Sequence, residues 1–334
     1  MQSRTPVTFV NRNGRQLHGI FHQPDQPAAP DLAVLLLSPG VKMRVGPQRL
    51  YLRLTERLVA LGLPVLRFDF EGLGDAEGAF GEVLLKDFYN HIEVGRFVND
   101  TVDTMDWMQA HYGFQRFIVS GLCGGAITGL LAGSRDSRIA GLFGLGITPV
   151  LASRAADEAK YMTTGMLEQR RRHYLGRLKS PYAWLRVLTL QADNRAIWKA
   201  ITLPLRKRLQ GPTPPAPKPD QDNANPLFAP AFFRMLETGR PMQFVFGGSD
   251  RLRWEFDEKF VARHQERLQR NPHGFAVHVV PDANHVLSLT EWQDEMIGVA
   301  DRWVRDHFPA TAAPSPAGAA LPNPSRDLAR LGDR

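Results

Sequence analysis

Short apolar runs alternate with helical patterns over the first 147 residues. Two apolar segments flank Asn13-Gly14, a dipeptide that favours a tight β-hairpin. Leu32–Leu37 and Pro64–Phe70 are nearly continuous apolar runs, which are typical of strands buried on both faces of a parallel sheet. Leucines at helical spacing separate these two strands. The same reasoning predicts a helix over Val98–His111 and strands at Arg116–Ser120 and Ile139–Ile147.

The alternation breaks near Thr148 and resumes close to residue 241. Between them, residues 150–240 predict a helical insertion with a proline-rich stretch at 211–219. Beyond it, the pattern predicts a strand, a helix, a strand and a last helix: Met242–Phe246, Trp254–Arg270, Phe275–Val280 and Glu291–His307.

The fold class that follows is α/β. We expect a doubly wound, mostly parallel sheet built from residues 5–149 and 241–308, with residues 150–240 inserted as a helical cap. The Ala/Pro-rich segment 309–334 predicts a disordered tail.

A Gly-x-Cys-x-Gly motif follows the strand at Arg116–Ser120. In Gly121-Leu122-Cys123-Gly124-Gly125, the cysteine would lie on a tight turn between a strand and a helix. This matches the nucleophile elbow, with Cys123 in the place of the usual serine. Glycines on both sides allow the strained turn and the close strand–helix packing. The alternative without a catalytic role is that Cys123 is a small buried apolar residue, as most single cysteines are.

A nucleophilic thiol needs a base, and the base needs an acid that orients it. In elbow hydrolases these follow the nucleophile in the order acid, then histidine. Asp250 comes directly after one predicted strand and His285 after the next, so both would lie at the same sheet edge as Cys123. We therefore assign Asp250 as the orienting acid and His285 as general base and acid. Asp282 is a weaker alternative acid, and His278 is interpreted as a structural strand residue.

Two backbone N–H groups are predicted to form an oxyanion hole. One is that of Gly124, directly after the nucleophile. The other would come from the loop after Leu37, where Pro39 has no N–H and Val41 is the best choice.

The segment Leu66–Gly78, LRFDFEGLGDAEG, resembles the D-x-x-G-x-G-x-S motif of serine aminopeptidase-like α/β-hydrolases, with Ala76 in the serine position. Together with Arg44–Arg49 and the cysteine elbow, it is similar to exosortase A system-associated hydrolases over about residues 5–308. The resemblance implies an α/β-hydrolase fold, an esterase-like activity and a cysteine nucleophile, but no particular substrate. Within the motif, Asp69 and Asp75 are interpreted as structural residues that hold the glycine-rich loop.

Charge and cysteine content limit the kinds of partner and cofactor that the protein is expected to bind. The net charge is +7, yet residues 169–219 alone hold twelve Lys or Arg and one acid, Asp193. Those bases are solvated helix faces, or they favour an anionic, carrier-bound acyl substrate or an anionic membrane surface. No nucleic-acid-binding module accompanies them, so nucleic acid is not an expected partner. One cysteine excludes an internal disulfide and a multi-thiolate metal site, and we expect no cofactor.

Three functional hypotheses remain open from the sequence. The first is cleavage of an ester or thioester through an acyl-enzyme on Cys123. The second is transfer of that acyl group to an alcohol or amine. The third is a non-catalytic binding protein that keeps the pocket. The N-terminal residues lack a signal-peptide pattern, so a cytoplasmic location is expected, while the oligomeric state is left open.

Overall fold

One eight-stranded sheet organises the residues that the structure, a computed structural model, describes: 3–79, 85–151, 223–271 and 273–309. The spatial order is β1-β2-β4-β3-β5-β6-β7-β8. Strand β2 pairs antiparallel with β1 and β4, and every other neighbouring pair is parallel. The strands are β1 (Ser3–Val10), β2 (Gln16–Gln23), β3 (Leu32–Leu37), β4 (Val65–Phe68), β5 (Arg116–Leu122), β6 (Ile139–Leu145), β7 (Met242–Gly247) and β8 (Phe275–Val280).

Helices cover both faces of this sheet, which explains why the central strands are apolar throughout. Side chains of β5 alternate between two buried clusters: Phe117 and Val119 face one, and Ile118 and Leu122 face the other. The helices are α1 (Leu50–Ala60), α2 (Leu85–Glu93), α3 (Val98–Tyr112), α4 (Gly124–Arg135), α5 (Phe228–Glu237), α6 (Arg251–Phe256), α7 (Gln265–Gln269) and α8 (Thr290–His307). Helices α1 and α8 pack on one face, and α2 to α5 on the other.

The doubly wound α/β class is confirmed, and one predicted helix is wrong. Residues predicted as a single helix over Trp254–Arg270 form α6, a wider helical turn at Asp257–Val261, and then α7. The wider turn places Phe260 against Phe228 and Phe232, at ring-centroid distances of 4.9 and 4.7 Å. The predicted helix is interrupted where these rings pack together. The helical spacing of apolar residues in the sequence did not indicate this interruption.

The second part of the core begins earlier than residue 241. Helix α5 was assigned to the insertion, yet its Phe228, Phe232 and Phe233 are fully buried in the main apolar cluster. Residues 152–222 of the predicted cap, which include its basic and proline-rich stretches, lie outside the described residues. The predicted tail from residue 310 onward lies outside them as well. No helix in the described part of the chain is long and apolar enough to cross a bilayer.

Candidate active site

Cys123 occupies the sharp turn between β5 and α4. Its backbone has φ 54° and ψ −109°, a region that non-glycine residues rarely adopt. The Cys123 N–H donates to the Leu145 carbonyl at 2.8 Å, which ties the turn to the end of β6. The side chain is half-buried. A strained, partly accessible residue at the start of a helix is the arrangement expected of an elbow nucleophile.

The elbow glycines are required by close backbone contacts. A Cβ on Gly121 would lie 2.5 Å from the Gly125 carbonyl carbon, and a Cβ on Gly125 would overlap the Leu37 carbonyl oxygen. No side chain fits at either position without moving backbone. The spacing of the motif therefore reflects the crossing of β3, β5 and α4 at this point.

Tyr51 on α1 forms hydrogen bonds with the backbone beside the elbow. Its hydroxyl donates to the Leu37 carbonyl and accepts from the Leu122 N–H, both at 2.7 Å. The ring is fully buried, and burial raises the pKa of the phenol, so the hydroxyl keeps its proton. One side chain thus joins the ends of β3 and β5 beside Cys123.

Asp250 and His285 form a hydrogen-bonded pair on the loops after β7 and β8. The His285 Nδ1 lies 2.7 Å from Asp250 Oδ2. Asp250 Oδ1 accepts from the Leu252 N–H at 3.0 Å and so caps α6. Asp250 is 4% exposed. Its two carboxylate oxygens therefore face the Leu252 N–H and the His285 ring and not solvent. The loops are joined by the Ser249 N–H, which donates to the Ala283 carbonyl at 2.9 Å.

Cys123 and His285 lie close enough for the charge of one to act on the other. Because Nδ1 faces Asp250, Nε2 is the ring nitrogen left for the sulfur. Burial lowers the pKa of His285, but the hydrogen bond with Asp250 and the negative charges of Cys123 and Asp250 outweigh it and raise the pKa to about 10. The ring therefore favours the imidazolium.

Gly146, directly after β6, leaves the space that this pair needs. A Cβ there would lie 2.8 Å from His285 Cε1 and 3.2 Å from Asp250 Oδ2. Its φ of 50° adds a second reason for glycine. Gly146 falls inside the strand predicted at Ile139–Ile147, and its role could not be found from the sequence because only the fold brings it against His285.

The loop after β3 lies against the residue that follows the nucleophile. A Cβ on Gly124 would be 2.9 Å from Gly40 Cα. The Lys42 N–H donates to the Pro39 carbonyl at 2.9 Å and closes a tight turn, with Val41 inside it. Within the described ranges, the Val41 N–H has no hydrogen-bond acceptor. The residue before Val41, Gly40, thus lies against Gly124, the residue that follows the nucleophile.

A buried ion pair holds this loop in place. Asp69, with no exposed surface, accepts from the Arg44 guanidinium and, at 2.6 Å, from the Arg44 N–H. The same guanidinium reaches Asp75 at 2.6 Å, and the Asp75 N–H donates to Asp69 at 3.2 Å. Asp69 holds the glycine-rich loop as predicted, through the Asp75 N–H, whereas the Asp75 carboxylate pairs with Arg44. The link to Arg44 on the neighbouring loop was not part of that prediction.

His278 and Asp282 lie outside the Asp250–His285 pair. His278 Nε2 faces Glu295 Oε1 at 2.7 Å, which agrees with a structural role. Asp282 is exposed in a left-handed turn, while His285 pairs with Asp250 instead. Among the residues described, no group of three His, Cys, Asp or Glu side chains is arranged to hold a metal ion.

Comparisons with known proteins identify the fold. No family model and no curated protein sequence matches the chain. The Pyrococcus furiosus esterase Pf2001 is similar in structure, with a TM-score of 0.54 and 18% identity over 92% of this chain and 93% of that one. XC6422 from Xanthomonas campestris, an α/β serine hydrolase without a lid, gives a TM-score of 0.50 and 14% identity over 92% and 97%. The chain has the α/β-hydrolase fold.

Proposed function

We propose that this protein cleaves an ester or thioester through an acyl-enzyme on Cys123, with His285 as general base and acid and Asp250 as the orienting acid. The observation that carries the proposal is a hydrogen-bonded histidine and aspartate close to a cysteine in a strained elbow. His285 Nδ1 lies 2.7 Å from the buried Asp250, and the charge of Cys123 acts on the same imidazole.

Acylation would proceed by addition and elimination. The Cys123 sulfur attacks the carbonyl carbon, and the carbonyl π pair moves onto the oxygen. The carbonyl then re-forms as the bond to the leaving oxygen or sulfur breaks, and the leaving group takes the proton held by His285. In the second half, His285 accepts a proton from water, the hydroxide adds to the thioester, and the Cys123 sulfur departs.

Two features of the site favour this chemistry. Asp250 holds the imidazole in the tautomer that presents Nε2 to the sulfur, and its charge stabilises the imidazolium. The N–H groups of Gly124 and Val41 would stabilise the oxyanion, because each adds a donor aimed at the charge that develops.

Acyl transfer and binding without turnover are the alternatives. A thioester on Cys123 also reacts with alcohols and amines, so the acceptor decides between hydrolysis and transfer. The basic segment 169–219 would favour an anionic, carrier-bound acyl group. A relationship to exosortase A system-associated hydrolases and a cytoplasmic location remain predictions from the sequence.

Mass spectrometry of the intact protein tests the proposal directly. The chain is incubated with short- and long-chain p-nitrophenyl esters and coenzyme A thioesters, then digested to locate the acyl group. We expect an acyl adduct on the peptide that contains Cys123, the only cysteine. Pretreatment with iodoacetamide is the matched control, because it blocks that thiol and should abolish both the adduct and turnover.

Each outcome selects one hypothesis. A transient adduct with release of free acid supports hydrolysis. An adduct that persists until an alcohol or amine is added supports transfer. If no adduct and no product form across both substrate classes, the catalytic proposal is contradicted and the binding hypothesis is favoured.

Replacing Gly146 with Ala is expected to slow acylation of Cys123 by about 100-fold, the order of loss that a 1 Å misplacement of a catalytic group produces. The new methyl group must displace His285 or Asp250. Gly113→Ala is the control: Gly113 also has a positive φ, 78°, but nothing lies within 4 Å of its Cβ position. Stopped-flow release of p-nitrophenol measures both variants. Equal acylation rates would show that the space at Gly146 does not matter.

A further inference from the structure

Helix α2 lies over both loops that meet at the elbow. Tyr89 and Ile92 are three residues apart and therefore share one face of this helix. A Cβ on Gly40 would lie 2.9 Å from Tyr89 Cε1, and a Cβ on Gly124 would lie 3.0 Å from Ile92 Cγ2. Since Gly40 and Gly124 also lie against one another, the Tyr89 ring packs against the loop that carries Val41, beside its contact with Gly124.

The Tyr89 hydroxyl points toward the same region. The Cβ position on Gly40 is 3.5 Å from its oxygen, and the side chain is half-buried at the edge of the main apolar cluster that Cys123 also borders. In the described part of the chain, the hydroxyl has no hydrogen-bond partner. The buried Tyr51, by contrast, has two. A phenol that is partly removed from water and unpaired is a donor held ready for a ligand.

The charge state of Tyr89 suits a donor. Burial, followed by negative charge at Cys123 and at Glu93, raises the pKa of the phenol. The hydroxyl therefore keeps its proton at neutral pH, including when the nearby sulfur is a thiolate. Because charge at Cys123 affects the pKa of Tyr89, the two side chains lie within electrostatic reach of each other.

We propose that Tyr89 is a further catalytic residue, whose hydroxyl donates a third hydrogen bond to the oxyanion formed when Cys123 adds to an acyl carbonyl. This inference rests on the proposed acyl-enzyme chemistry. As the sulfur–carbon bond forms, the carbonyl π pair moves to oxygen, and Tyr89 stabilises that charge together with the N–H groups of Gly124 and Val41. The phenolic proton is shared and not transferred, and the hydrogen bond weakens again when the carbonyl re-forms.

Tyr89→Phe tests the role, because it removes the hydroxyl and keeps the ring against Gly40. We expect the acylation rate with p-nitrophenyl acetate to fall by about 10- to 100-fold with little change in KM, the pattern of a lost oxyanion donor. Affinity for a trifluoromethyl ketone, which forms an anionic adduct with the thiol, should fall by a similar factor. Circular dichroism melts establish a temperature at which both proteins are folded.

Tyr112→Phe is the matched control. Tyr112 is also half-buried, but it packs against Phe21 near the start of β5, at the opposite end of the strands from Cys123. This variant should acylate at the wild-type rate. If Tyr89→Phe does so too and binds the ketone as tightly, the inference is overturned while the triad proposal stands. If wild type itself forms no adduct at Cys123, both fail together.

Discussion

Replacing His285 with Ala is expected to slow acylation of Cys123 by about 10²- to 10⁴-fold, the range over which a positioned general acid–base contributes. The variant lacks the group that polarises the thiol and that gives the leaving group its proton. The rate of p-nitrophenol release in a single turnover measures the loss. Added imidazole should restore part of the rate, since a small base fits the space left by the ring. A His285→Ala protein that acylates as fast as wild type would exclude His285 as the base.

Asp250 offers a control that separates catalysis from folding. Its Oδ1 caps α6, whereas its Oδ2 holds His285. Asp250→Asn keeps the cap, because Asn caps helices as well as Asp, but loses the charge that faces the imidazole. Asp250→Ala loses both functions and about 1 kcal/mol of cap stability. Slow acylation in both variants, with the additional loss of cap stability only in the alanine variant, is the expected result.

The same His285→Ala variant has a second readout in the pH dependence of stability. The pKa of His285 is about 10 in the folded chain against an ordinary 6.5, so the folded state binds the proton more tightly. Its contribution to stability is fully present below pH 6.5 and is lost as the pH rises through about 10. Denaturant unfolding at pH 6 and pH 10 should show a smaller decrease for His285→Ala than for wild type.

The residues of the proposed triad could be found from the sequence because each follows a recognisable strand. Parallel strands bring their carboxyl ends to one edge, so residues just after β5, β7 and β8 had to converge there. Cys123, Asp250 and His285 follow these three strands, and a hydrogen bond between Asp250 and His285 joins the loops after β7 and β8.

Residues whose roles depend on contacts with segments distant in sequence could not be found in this way. Gly146 follows a strand as well, but its importance depends on the His285 ring that arrives from β8. Tyr89 lies on α2, and no motif in the sequence marks its place against Gly40. The predicted helix over Trp254–Arg270 failed for a related reason, because the burial of Phe260 depends on α5, a helix distant in sequence.

Asp69→Ala is expected to reduce the free energy of unfolding by about 3 kcal/mol, the order of loss when one partner of a buried ion pair is removed. Asp69 has no exposed surface and Arg44 only 15%, so water cannot replace the lost contacts. Two backbone N–H groups, those of Arg44 and Asp75, also lose their acceptor. Equilibrium unfolding in urea measures the change.

Asp75→Ala is the matched control, because Asp75 pairs with the same guanidinium but its side chain is 59% exposed. An exposed ion pair contributes about 0 to 1 kcal/mol, so this variant should unfold close to wild type. If the two variants lose the same stability, burial of Asp69 is not the reason that the ion pair stabilises the fold.

The two variants should also differ in acylation rate, because Arg44 belongs to the loop that carries Val41. Asp69→Ala should therefore slow acylation even where the protein is fully folded, whereas Asp75→Ala should leave the Val41 N–H in place and the rate near that of wild type.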